Sequence, residues 1–219
     1  MIQEKTRPYV PSSYRMDEHA ARQMILAEPF ALVVTPGLEG IIETTHTPLF
    51  FETGETDCST LIGHIARINP QAADISAGRP GLAVFNGPSA YVSPAWYVED
   101  EDVPTWIYQA VHVRGQIEPV QDHNDMSILM ENIIAQSEAR VGGNWQMDRI
   151  PQADIDRMMK RILGFRLHIE QVVGVGKLEQ TRSAANRAGV SKNLRRGREV
   201  ARERLVELLD TGISGGSTP

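Results

Sequence analysis

The stretch "GHIARINPQ", residues 63–71, puts His64 and Arg67 at the end of a strand-like run, followed by Asn69 and an Asn-Pro helix start. A guanidinium, an imidazole and the free N–H groups of a helix start are the parts of an anion pocket suited to a phosphate. The same residues also suit a surface arginine and a simple helix cap. A second concentration of chemistry lies in "GPSAYVSPAWY" (87–97) and "VPTWIYQAVHVRG" (103–115). Tyr91, Trp96, Tyr97, Trp106 and Tyr108 are five of only thirteen aromatic residues in the chain. Rings with polar tips can orient a planar ligand, seal a subunit interface or fill a core, and strand alternation would send only some of them inward.

Other chemistries find little support. "GVGKL" (174–178) lacks the phosphate-loop pattern, because Gln171 stands where the first glycine belongs and Leu178 where Ser or Thr belongs; Glu179 likewise replaces the third glycine of a dinucleotide fingerprint. The six histidines never pair at short helical spacing, so no metal site is written locally and none is expected. Ser93 lacks the glycine-flanked elbow of a hydrolase nucleophile. The single cysteine, Cys58, rules out an internal disulfide and reads as an incidental loop thiol.

The elements that must position these residues follow from periodicity. A helix is expected from Met16, with Ala20, Met24 and Ile25 on its inner face and Pro29 as its stop. "FALVVT", a "PGLEG" turn and "IIETTHTPLFFE" read as a hairpin, "TLIGHIAR" as a strand and "NPQAADIS" as a short helix. "PGLAVFNGPSAYVSPAWY" and "PTWIYQAVHVRGQIEPV" read as long strands, two helices follow, and "GFRLHIEQVVGVG" returns as the last strand. Short turns between most strands favour an antiparallel barrel over a doubly wound sheet, so the fold class is mainly β with added helices (α+β). We read 1–210 as a single domain with an N-terminal helix, a central helical insertion (about 121–163) and a basic C-terminal helical segment (about 183–209). The Gly/Ser-rich 211–219 reads as a disordered tail.

The 219 residues carry a net charge of −6, which disfavours a general nucleic-acid binder. The charge is uneven: eight basic residues against Glu199 and Glu203 between Arg182 and Arg204 give +6 locally and leave −12 elsewhere. No apolar run reaches the roughly 18 residues of a membrane span and no secretory layout opens the chain, so the expectation is a cytoplasmic protein without membrane contact.

Together with "RPYVPSSYRM" (7–16) and "GFRLHIEQVVGVGKLEQTRS" (164–183), the histidine and aromatic stretches resemble the PaiB-type negative transcriptional regulators of the FMN-binding split-barrel superfamily. The resemblance runs in order from about Pro8 to Leu194. It implies a pyridoxamine-phosphate-oxidase-like split β-barrel, a homodimer with FMN at the subunit interface. The backbone of Thr45, His46, Thr47, Pro48 and Leu49 would run along the flavin, His64, Arg67 and Asn69 would hold the phosphate, and Trp96, Trp106 and Tyr108 would close the pocket. Relatives in the superfamily carry a tighter Arg/Lys pair at the phosphate, whereas Arg67 has no second cation adjacent in sequence. "AANRAGVSK", from Ala184, matches part of a helix-turn-helix, but Arg195 falls where an apolar residue should pack the second helix. Any direct DNA contact would use Lys192, Arg195, Arg196 and Arg198.

Two other classes stay open. One is an FMN-dependent NAD(P)H oxidoreductase with His46 or His112 as proton donor. The other is a haem-binding or haem-degrading split barrel with His168 or His64 as axial ligand.

Overall fold

A computed structural model describes residues 9–37, 40–52, 58–99 and 103–194. The chain divides into two compact units, Met1–Gly87 with Gln109–Gly176, and Pro88–Tyr108 with Lys177–Pro219.

In the first unit, Asp17 caps α1 (Glu18–Ala27) by accepting a hydrogen bond from Ala20 N at 2.7 Å. The buried face of α1 is Ala21, Met24 and Ile25; Ala20, expected on that face, points to solvent. The helix begins two residues after Met16, and that start sets the phase of its inner stripe. β1 (Phe30–Pro36) and β2 (Ile42–Pro48) form the expected antiparallel hairpin, with Leu32 opposite His46 and Val33 opposite Thr45.

The run expected to continue β2 breaks at Leu49. Pro48 has no N–H to offer, and Leu49 N donates instead to Pro29 O at 2.8 Å. Beyond this break β3 (Phe50–Phe51) pairs with β4 (Thr60–Ala66), at the other end of the sheet. α2 (Ala72–Ser76), β5 (Pro80–Val92), β6 (Thr105–Val120), α3 (His123–Val141), α4 (Gln152–Met159) and β7 (Ile162–Lys177) follow. The sheet order is β2-β1-β5-β6-β7-β4-β3.

Alternation along the strands sorts two apolar cores. Ala31, Val33, Phe85, Val111, Val113, Phe165 and Leu167 face inward with Leu61 and Ile65 and are covered by α1. On the opposite face, Phe50 and Ile62 meet Met126, Leu129 and Ile133 of α3 and Ile155 and Met159 of α4. Burial of a side chain such as Phe85 or Phe165, both inaccessible, contributes about 2–3 kcal/mol each. Gly164 is what admits α3 so closely, since a Cβ there would meet the Met126 sulfur at 2.6 Å.

In the second unit, "SPAWY" leaves the strand on which it was expected. Ser93 Oγ accepts from Ala95 N, and Pro94–Trp96 form a 3-10 turn. Residues 184–194 are one uninterrupted helix. The turn that a helix-turn-helix would place at Gly189 is therefore absent; this glycine is needed because a Cβ would collide with Trp96 O. Asn186, buried on this helix, accepts from Val98 N at 2.8 Å and Glu99 N at 3.2 Å. Lys192 is exposed on the helix, whereas Arg195, Arg196 and Arg198 lie outside the described residues.

Candidate functional site

Of the residues read from sequence as the flavin site, Thr45, His46, Thr47, Pro48, Leu49, His64, Arg67 and Asn69 fall on or beside two elements of the first unit, β2 and the β4–α2 corner. Side-chain hydrogen bonds among the described residues join them. Thr47 Oγ1 donates to His64 O at 2.7 Å, and Asn69 Nδ2 donates to Thr45 Oγ1 at 2.8 Å. A Cβ on Gly63 would run into the Leu49 side chain and lie 3.2 Å from Pro48 O, so the close approach of these chain segments depends on that glycine.

Along β2 the side chains divide by face. Thr45 and Thr47 lie opposite Val33 and Ala31 and share their side, and Thr47 is buried. Leu49 is wholly buried in the core and offers no side-chain contact to a ligand. His46 points to the other face, exposed and stacked on Phe30 with ring centroids 5.8 Å apart. Pro48 is half-buried. β2 ends the sheet order, so one edge of its backbone is left unpaired by strand neighbours; Gln71 Nε2 donates to Glu43 O there, at 3.1 Å.

His64 is the unusual member. Its ring Nδ1 is buried and has no hydrogen-bond partner, and burial holds its pKa below the ordinary histidine value. A neutral imidazole with one buried nitrogen open is a group awaiting a polar partner. The Asn69 amide is not: besides its bond to Thr45, its oxygen accepts from Gln71 N at 2.9 Å.

The helix-start N–H groups expected to cradle a phosphate are also engaged. Ala72 N, Ala73 N and Asp74 N donate to Asn69 O, Pro70 O and Gln71 O, because the corner winds through tight turns before α2 begins. Arg67 keeps an exposed side chain, and its N–H donates to Arg161 O at 2.8 Å. The β4–β7 ladder thus sets Arg161, also exposed, beside Arg67. This second cation is 94 positions away in sequence and was legible only through strand pairing.

Gln71 was also missed. Its wholly buried side chain donates to Val33 O at 3.1 Å, Thr35 Oγ1 at 3.2 Å and Glu43 O. Thr35 in turn donates to Asp74 at 2.9 Å, and Asp74 pairs with Arg79 at 3.3 Å. This buried polar cluster ties α2 to the β1–β2 hairpin and holds Asn69 and Arg67 in place. Other histidines do different work: His168 Nε2 lies 2.5 Å from Glu118, and burial with the Arg114 charge lowers the pKa of His112. Among the described residues no group of three His, Cys, Asp or Glu side chains converges on a metal position.

The aromatic residues belong to the second unit, and exposure excludes the core reading for Tyr91, Trp106 and Tyr108. Tyr91 and Trp106 meet edge to face at 6.1 Å and stay exposed, as does Tyr108. Trp96 is half-buried in the 3-10 turn. Tyr97 is structural: its hydroxyl donates at 2.9 Å to Glu179, a buried carboxylate paired with Arg182, whose guanidinium lies over the Tyr97 ring.

These features define a mixed α+β protein related in fold to the FMN-binding split-barrel structures. Among solved structures, a conserved hypothetical protein of Mycobacterium tuberculosis superposes with TM-score 0.57 at 11% identity, over 80% of this chain and 94% of that one. A flavocytochrome of Azotobacter vinelandii gives 0.55 at 12% identity, over 77% and 72%. Residues 8–171 match the family described as "Putative FMN-binding domain", and the chain belongs to that family. It is 29% identical over 206 residues to the protease synthase and sporulation protein PAI 2 of Bacillus subtilis, covering 92% of this chain and 96% of that one.

The residues present fit a flavin class of cofactor. The fit rests on the open Nδ1 of His64, on the edge of β2 that has no strand neighbour among the described residues, and on the exposed Arg67 and Arg161, whose backbones are hydrogen-bonded.

Proposed function

We propose that this chain is a PaiB-type flavoprotein, a homodimeric split barrel that binds FMN and acts as a negative transcriptional regulator. The observation that carries this reading is the neutral His64 ring with its buried, unpartnered Nδ1, on the strand whose backbone is tied to β2 by Thr47 and which leads to Arg67. The bond from Thr47 to His64 O draws β2 toward β4, strands that stand far apart in the sheet order, as a closing barrel requires. Family membership and the similarity to PAI 2 point the same way.

In this reading Arg67 and Arg161 hold the phosphate, His64 completes a hydrogen bond to the ligand, and Thr45 and Asn69 position the corner without touching it. In the second unit, the exposed rings of Trp106 and Tyr108 are surfaces on which a planar group can stack. FMN would supply a redox centre that takes up electrons singly or as hydride. DNA contact is assigned to the basic segment, through Lys192, Arg195, Arg196 and Arg198, where lysine and arginine would neutralise backbone phosphates. No helix among the described residues is long and apolar enough to cross a membrane.

The test is the visible spectrum of the purified chain, followed by parallel titration with FMN and riboflavin. We expect FMN to bind at least about tenfold tighter than riboflavin, the difference being the phosphate. A colourless chain that binds neither would overturn the reading.

A further inference from the structure

α3 ends at Val141, Gly142 takes the left-handed conformation at φ 69°, and the chain then doubles back along the helix as residues 143–148. Between helix and returning chain lies a cavity of about 510 Å³, large enough for a small organic ligand. Ile134, Trp145 and Met147 give it apolar walls, Glu131, Glu138 and Asp148 line it with carboxylates, and no Lys, Arg or His is among the lining residues.

The charge arrangement runs against helix stability. The last turn of a helix carries partial negative charge and favours cations. Here Glu138 sits near that end, fixed by accepting from Trp145 N at 2.9 Å. Arg140, the basic residue of the same turn, is directed away, donating to Leu26 O and Ala27 O at 2.6 and 2.7 Å. Arg149, next to the lining, donates to the Asn144 carbonyl and side-chain oxygens. Three carboxylates thus line the cavity against one guanidinium at its rim, that of Arg149 on Asn144, while Arg140 is turned to the end of α1.

We infer that this cavity binds an organic cation, an alkylated or aryl-bearing ammonium whose apolar part rests on Trp145, Met147 and Ile134 while its charge faces the three carboxylates. An indole beside carboxylates suits such a ligand through combined cation–π and Coulomb attraction. A metal ion would leave the apolar walls without a partner. The inference is independent of the flavin reading, because every residue it uses lies in α3 or the segment that follows.

The experiment titrates the full chain with choline and with benzyltrimethylammonium while NMR follows the Trp145 indole N–H, assigned by its loss in Trp145→Phe. We expect saturable shifts with a Kd of about 1 mM, and a weakening of at least about threefold in each of Glu131→Gln and Asp148→Asn. Both carboxylates are exposed, and circular dichroism should show the variants folded. The neutral isostere 3,3-dimethylbutan-1-ol should leave the resonance in place. Failure of both cations to shift the indole, an equal response to the neutral alcohol, or unchanged affinity in both variants would overturn the inference.

Discussion

His64 concentrates the candidate site's chemistry in one ring. Its pKa is lowered by burial, so the folded chain binds fewer protons than the unfolded chain between that lowered value and the ordinary 6.5. Stability therefore rises with pH through this window and falls as the pH drops below about 6.5. His112, lowered by burial and by Arg114, contributes with the same sign. In urea unfolding between about pH 7.5 and pH 5.5, His64→Gln should lose less stability than the wild type, with the remaining slope due to His112 and other groups. An unchanged slope would mean that the buried nitrogen meets water. The same variant should bind FMN about tenfold more weakly, read by flavin fluorescence, if the open Nδ1 is the ligand's partner. His64 itself was legible in the sequence from its place before Arg67 and Asn69. Its unpartnered state was not, because that depends on which groups β2 and α3 bring near.

Strand pairing, more than local pattern, decides what each element contributes. Alternation and turn residues located β1, β2, β4, β6 and β7, since strands with one buried face carry that signal directly. The break at Leu49 escaped it because "THTPLFFE" keeps a strand-like composition across a change of partner. Arg161 escaped because its role comes only from the register of β7 against β4.

The same register explains Arg166 on β7, which donates to Asp125 of α3 at 2.8 and 2.6 Å and to Glu52 at 2.9 and 3.1 Å. The Arg166 hydrogen bonds hold Asp125 below its ordinary value of 3.8, so this contribution is present above that pH and is lost as pH falls through the lowered value. Arg166→Gln leaves two carboxylates facing each other without a cation. It should cost about 2–3 kcal/mol in urea unfolding at neutral pH, and the deficit should shrink as the pH falls below about 4. A loss under about 0.5 kcal/mol would show that the network is solvent-screened.

At the scale of the molecule, the outer face of the sheet in its first unit carries an apolar patch that is half-buried at its centre and exposed at Phe30 and Ile42. The registers put Phe30, Leu32 and Val34 of β1 on one face with Leu82 and Val84 of β5, opposite to the core residues Ala31 and Val33. Phe30 is 62% exposed, and Ile42 of β2 is 69% exposed. A sheet with one face on the core usually turns polar residues to water on the other. Apolar patches of this kind are common at association surfaces, and this one is where the homodimer proposed above would place a second copy of the chain. Light scattering at micromolar concentration should therefore give the dimer mass. Leu32→Glu should give monomers, because each subunit would bury a charge against apolar neighbours. If the flavin needs both subunits, FMN affinity should fall in that variant by at least about tenfold while the first unit keeps its circular dichroism. Monomers that hold FMN as tightly as the wild type would separate the cofactor from the dimer and place the whole pocket within one chain.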